Sequence, residues 1–340
     1  MFLKALTVSI TALFLSLLGF PSIQKSENRI QDNHKIRIEV SMVSLPVVVM
    51  NKEGRRITDL KKEDFRVFEN GVEQEIAGFA GTDEPVSIAL LLDTSGSTEL
   101  KLAKIQNAAI DFVNQLHPDD EVAVLSFADE VILQQDFSID RDKNEYGIKK
   151  TRTGERTVLY EAVWLALEEV LKPVQGRKAL VLFTDGVDTR SGKATINETL
   201  ELSMETRATI YCVYYDTEED QYKRANRNPL KPIFPPIIIS PFPPGTGQSE
   251  SSLKKYETGR KYLSGLAQNS GGLMLDGTED LRYTFEQVAK ELSSQYSIGY
   301  YPSNPEYDGK FRKIEVKINR PGYIVRTKRG YYIKKDRNDP

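Results

Sequence analysis

Asp93, Ser95 and Ser97 offer a carboxylate and two hydroxyls on alternate residues. Hard oxygen donors of this kind suit Mg²⁺ or Mn²⁺ better than zinc or copper. Such a set is too weakly charged to hold an ion by itself, so oxygen donors are needed from elsewhere in the chain. Asp185, in Phe183-Thr184-Asp185-Gly186, supplies a second carboxylate, and Thr157, in Glu155-Arg156-Thr157-Val158-Leu159, supplies a third hydroxyl. Each has a plainer reading alone: Asp185 as an Asp-Gly turn, Thr157 as a helix N-cap. In that order, and on one edge of a fold, they point to a single divalent-cation site. With few direct carboxylates the cation stays electrophilic and can accept an acidic side chain from outside.

Catalytic readings fare worse. Asp93-Thr94-Ser95-Gly96 is interrupted by Ser95 where an aspartic-protease loop needs glycine, and a second such loop is absent. A Ser-His-Asp hydrolase would have to use His34 or His117, neither of which stands in a suitable loop. A phosphatase with Asp93 as nucleophile would want an aspartate where Ser95 stands.

A rigid edge must hold these residues. Ile88-Ala89-Leu90-Leu91-Leu92 reads as a strand buried on both faces, and from Thr98 a helix carries Ile105, Ala109, Phe112, Val113 and Leu116 on one stripe. Open α/β sheets place their sites at such strand-to-helix junctions. Strands over Glu121–Phe127, Val131–Leu133, Lys178–Thr184, Ala208–Tyr215 and Leu273–Leu275 alternate with helices at Leu159–Val170, Thr199–Arg207, Leu263–Asn269 and Leu281–Leu292. This rhythm predicts an α/β, Rossmann-like, doubly wound and mostly parallel sheet with helices on both faces, spanning 85–295. Residues 217–258 interrupt it with prolines from Pro229 to Pro244 and are expected to be non-helical, either a surface excursion or an extended arm.

The flanks read as β-structure. Asn70-Gly71 between Phe65–Phe68 and Val72–Phe79 is a strong hairpin cue. Neither 35–80 nor 296–336 can bury a core alone, so the two are expected to pair into a small β-sandwich-like module in which the α/β domain is inserted. The basic residues Arg320, Arg326, Lys328, Arg329, Lys334, Lys335 and Arg337 read as a solvated strand face.

The chain has 340 residues and a formal net charge of −3, so no overall field favours nucleic acid. Its one cysteine, Cys212, lies in an apolar strand and reads as buried. Residues 1–23, Lys4 followed by an apolar run, match an export signal or N-terminal anchor. The expected location is extracytoplasmic: secreted, periplasmic, or attached to a membrane if that segment is retained.

Asp93-x-Ser95-x-Ser97, then Thr157, then Asp185 resembles the metal-ion-dependent adhesion site of von Willebrand factor type A (VWA) domains. The resemblance implies that Ser95, Ser97 and Thr157 touch Mg²⁺ (or Mn²⁺) through hydroxyls, and that Asp93 and Asp185 act directly or through water. Arg156 departs from the small or glycine residue often found there; it could pair with Glu155 or help receive an anionic ligand. The flanking stretches Lys62–Gln74 and Arg329-Gly330-Tyr331-Tyr332 resemble an exported, acidobacterial VWA-related family whose biochemical role is not defined. The function so implied is a non-enzymatic module binding a protein ligand that presents Asp or Glu. A structural scaffold with a conformational cation site and a metal-dependent hydrolase remain the alternatives.

Overall fold

The computed structural model describes residues 42–216, 246–304, 306 and 308–332 and, in the helix beginning at Thr246, side chains from Lys254 onward. The expected export signal, the proline-rich stretch up to Gly245, and Lys334, Lys335 and Arg337 lie outside the described residues.

In chain order, β1 (Val43–Asn51), β2 (Phe65–Glu69), β3 (Val72–Gln74) and β4 (Ile76–Ala80) precede β5 (Val86–Asp93). Next come α1 (Leu102–Gln115), β6 (Glu121–Phe127), β7 (Val131–Ser138), α2 (Arg141–Lys150), α3 (Leu159–Leu165) and β8 (Arg177–Thr184). They are followed by α4 (Ile196–Glu205), β9 (Thr209–Tyr214), α5 (Thr246–Ser270), β10 (Met274–Asp276) and α6 (Leu281–Leu292). The chain closes with β11 (Gln295–Tyr300), β12 (Phe311–Ile318), β13 (Tyr323–Arg326) and β14 (Gly330–Tyr332).

The central sheet runs β10-β9-β8-β5-β6-β7, parallel throughout except for β7, which is antiparallel at the edge. Every residue of β5 and β8 is buried, because helices cover both faces. On one face Ile88, Leu90 and Leu92 pack with Ile105, Phe112 and Phe285. On the other, Ala89 and Leu91 pack with Leu159, Val163 and Leu266. The α/β sheet expected from the alternation is the one formed, and Cys212 is buried within β9.

Two elements differ from expectation. Helix α2 was not foreseen, since its sequence is polar; the Asp140 carboxylate caps it by accepting from the Asp142 and Lys143 N–H groups, and Ile148 anchors it in the core. Helix α5 starts at Thr246, inside the stretch expected to be non-helical up to 258, and continues through Leu263–Asn269 to Ser270. The prolines end at Pro244, after which Tyr256, Tyr262, Leu263 and Leu266 give the helix a buried side. Among the described residues no helix is long and apolar enough to cross a membrane.

The remaining strands form two antiparallel sheets, β13-β1-β11-β4 and β14-β12-β2-β3. Leu45, Val47, Tyr296 and Ile298 from the first share one core with Phe65, Val67, Ile314 and Val316 from the second, so strands from both ends of the chain build a single sandwich. Asn70 and Gly71 turn with φ 49° and 83°, as the hairpin requires. The expected single strand Val72–Phe79 breaks instead at Glu75: β3 pairs with β2 in one sheet and β4 with β11 in the other. The chain thus changes sheets at that corner.

Glu291, 3 % exposed near the end of α6, joins the two layers. Its Oε1 accepts from Arg56 Nε at 2.9 Å and Nη2 at 2.6 Å, while Oε2 accepts from Arg326 Nη2. Arg326 Nη1 also donates to the Gly271 carbonyl at 2.8 Å. Arg326 is therefore no part of a solvated face, nor is Lys328, which is 3 % exposed; its burial, helped by the Arg207 charge, lowers the ammonium to about 8. These side chains fill the junction between layers, which strand periodicity alone does not reveal. Glu291→Ala is expected to cost about 3 kcal/mol, because two half-enclosed guanidiniums lose their counter-charge. Urea unfolding measures it; a loss below about 1 kcal/mol would place the cluster with ordinary surface pairs.

Candidate metal centre

Strands β5 and β8 are parallel neighbours, so their C-terminal ends, Asp93 and Thr184-Asp185, reach the same edge of the sheet. Asp93 is fully buried, and both its oxygens are engaged: Oδ1 accepts from the Ser95 N–H at 2.9 Å and Oδ2 from the Thr184 hydroxyl at 2.6 Å. The Thr184 hydroxyl in turn accepts from the Gly186 N–H at 3.0 Å. Asp185, 2 % exposed, accepts at Oδ1 from the Val187 N–H at 2.9 Å and at Oδ2 from the Ser97 hydroxyl at 3.2 Å. Ser97 and Ser95 place their hydroxyl oxygens 3.1 Å apart. Ser95, Ser97 and Asp185 thus form one continuous chain of oxygens, and the Ser95 N–H ties it to Asp93.

The loop after Ser95 is fixed by its own bonds. Thr98 donates from its hydroxyl to the Ser95 carbonyl at 2.8 Å, closing a short 3-10 turn over Gly96–Thr98 ahead of α1. The Thr94 N–H donates to the Phe127 carbonyl at 2.9 Å, pinning the loop to the end of β6. Ser97 is only half-buried and marks the side open to solvent.

Thr157 is brought to this edge through the backbone. The Gly154 N–H donates to the Thr94 carbonyl at 2.9 Å and the Glu155 N–H to Asp129 Oδ2 at 2.8 Å. Thr157 donates its N–H to the Thr189 hydroxyl at 2.8 Å, and its carbonyl accepts from the Thr189 and Arg190 N–H groups. Its side chain is 6 % exposed. The structure therefore links four of the sequence-derived residues directly by side chain and ties Thr157 to the same loops by main chain.

Thr184 stands in the sequence reading only as a neighbour of Asp185; its hydroxyl holds Asp93 and accepts from the Gly186 N–H in the turn that follows Asp185. The Thr-Asp-Gly order carried the signal, because a hydroxyl before an Asp-Gly turn can reach both the preceding strand and the glycine N–H.

The oxygens fit a small hard cation. Cis ligands at about 2.0–2.1 Å around an octahedral ion lie about 2.9 Å from one another. The separations of 3.1 and 3.2 Å along Ser95, Ser97 and Asp185 are close to that edge. Among the described residues no group of three or more His, Cys, Asp and Glu side chains could hold a metal. The acids also repel: burial, reinforced by the Asp185 charge, raises the Asp93 carboxyl to about 7 against the pull of its bonds from Ser95 and Thr184.

The family model for the von Willebrand factor type A domain matches residues 88–187, a range that contains all five residues. This stretch is a VWA domain. A comparison with curated proteins finds no match. Among solved structures, the A domain and its surroundings are similar to a von Willebrand factor type A protein from Catenulispora acidiphila, at 14% identity and TM-score 0.46, over 80% of this chain and 74% of that one. Proximal thread matrix protein 1 from the mussel byssus, in a form with a zinc-occupied MIDAS motif, is similar at 18% identity and TM-score 0.43, over 65% of this chain and 48% of its own. The von Willebrand domain of the type V pili tip protein Mfa5 from Porphyromonas gingivalis gives 20% identity and TM-score 0.30, over 32% of this chain and 40% of its own. The chain thus spans less than half the length of the last two. Such likenesses are slight, and the assignment of the A domain stands on the family match and the sheet order.

Folded Asp93 holds its proton up to about 7, whereas the unfolded side chain loses it near 3.8. Between those values the folded state binds more protons, so stability of the cation-free protein falls as pH rises from about 4 to about 7. The expected loss is on the order of a few kcal/mol, read from urea midpoints across that window. Asp93→Asn should flatten the dependence; an unchanged slope would mean that another group causes it.

Proposed function

We propose that this chain is an exported, non-enzymatic binding module whose A domain captures an acidic side chain of a protein partner through Mg²⁺ (or Mn²⁺). In this reading Ser95, Ser97 and Thr157 hold the ion by their hydroxyls, and Asp93 and Asp185 do so directly or through water. The observation that carries it is the oxygen chain from Ser95 through Ser97 to Asp185, set beside a buried Asp93. A divalent cation supplies there a positive charge with a position that a carboxylate can fill. Residues 85–295 form the A domain in this scheme, set between the sandwich halves 35–80 and 296–336. The extracytoplasmic placement rests on the character of residues 1–23.

The chain's own residues define what can be received. Hydroxyl donors add no negative charge, so the site remains attractive to an incoming acid. Thr184 and the Ser95 N–H hold the Asp93 carboxylate in one orientation, and Val187 does the same for Asp185. Thr157 is flanked by Arg156 in sequence and by Arg190, whose N–H donates to its carbonyl at 3.1 Å. Both arginine side chains are exposed, and among the described residues no ion pair joins Arg156 to Glu155. Their charge favours the approach of an acidic partner.

Capture of a protein from the exported fraction in Mg²⁺ should be abolished by EDTA, by Asp93→Ala and by Asp185→Ala, and capture indifferent to all three sinks this reading. Arg156→Glu is expected to slow association by about tenfold at low salt, with the deficit shrinking as salt is added. Surface plasmon resonance with the captured partner measures both; an unaltered association rate would remove Arg156 from the account.

A further inference from the structure

We propose that Gly259, in α5, is a positioning residue for the Asp185 carboxylate: the helix lies backbone against backbone on the turn that aims that acid. The inference rests on the cation-site reading above. Gly186, the residue after Asp185, has φ 80°, and a Cβ placed on it would meet the carbonyl carbon and Cα of Gly259 at 2.9 Å. In the other direction, a Cβ on Gly259 would stand 2.6 Å from the Gly186 carbonyl oxygen and 2.7 Å from its carbon. Side-chain carbons do not approach other atoms so closely. The obstacle on each side is main chain, which cannot swing away as a side chain would. Alanine at position 259 must therefore displace the helix, the turn, or both.

The turn cannot yield without moving the site. Gly186 donates its N–H to Thr184, whose hydroxyl holds Asp93, and the Val187 N–H beyond it holds Asp185. A shift of a few tenths of an ångström at Gly186 thus reaches both carboxylates at once. The helix is anchored just past the contact. Tyr262 is buried, donates to the Thr199 hydroxyl at 2.9 Å and meets the Tyr160 ring edge-on at 5.0 Å. Arg260 lays its guanidinium 4.0 Å over the Tyr214 ring at the end of β9. With the helix fastened in this way, the strain falls on the turn.

The same helix contains its own control. A Cβ on Gly265 would meet one atom within 3 Å, the Cδ2 of Leu200 at 2.8 Å, which is the end of a flexible side chain on α4. Gly265→Ala is expected to perturb the packing of α5 on α4, and no atom of the Asp185-Gly186 turn is among those its Cβ would meet.

The test is Mn²⁺ affinity, by electron paramagnetic resonance or calorimetry, for the wild-type chain, Gly259→Ala and Gly265→Ala, with urea stability measured in EDTA alongside. The expected result is an affinity about 10- to 100-fold weaker for Gly259→Ala and unchanged for Gly265→Ala, whatever either does to stability. A wild-type chain that binds no Mn²⁺ overturns the cation site and this inference together. Wild-type binding matched by Gly259→Ala overturns the positioning role alone. Should Gly259→Ala fail to fold, amide hydrogen exchange on the wild-type chain decides. Mg²⁺ should then slow exchange around Gly259 as well as around Asp185, since coupling between two places is reciprocal. Unaltered exchange around Gly259 overturns the role.

Discussion

Two carboxylates brought out of water at one sheet edge are the constraint around which the rest is arranged. Asp93 and Asp185 stand at the ends of adjacent parallel strands, both almost fully buried, and like charges so placed are unfavourable unless something offsets them. Strands covered on both faces can tolerate this because their positions are fixed by cores on either side. A strand held on one face alone could relax and let the acids drift toward solvent. The wholly buried runs of β5 and β8 are therefore a condition of the site, not merely neighbours to it.

The choice of hydroxyls beside those acids follows from the same constraint. Replacing Ser95 or Ser97 with further carboxylates would add repulsion to an edge that already raises the Asp93 carboxyl well above its ordinary range. Serine and threonine oxygens add no charge of their own and can donate to the acids, as Ser97 does to Asp185 and Thr184 to Asp93.

Much of this was legible in the sequence, for reasons that differ by element. Ile88–Leu92 announced a doubly buried strand by unbroken apolarity, and Asn70-Gly71 announced a hairpin by its backbone requirement. The oxygen donors were visible by type and spacing. What escaped notice were features decided by partners distant in sequence. Helix α2 has few apolar residues, so its cap at Asp140 and the single anchor Ile148 carried too little periodic signal. The proline count masked the start of α5, although the prolines stop two residues before it. The enclosure of Arg326 could not be read at all, because the acid that receives it lies on α6, in a different layer.

That acid also bears on how the two layers share one chain. The chain leaves the sandwich after β4 and returns at β11, and these strands are hydrogen-bonded antiparallel neighbours, with Ile298 opposite Phe79. Exit and entry points side by side mean that closing the long excursion between them demands little distortion of either layer. Leu281, Phe285, Val288 and Leu292 bury one face of α6 in the core of the central sheet. Glu291 adds to this hold by reaching Arg56, which follows β1, and Arg326, which ends β13, while Arg177 at the start of β8 donates to the Leu292 carbonyl at 2.7 Å. The end of α6 is thereby held from the sandwich and from the central sheet at once.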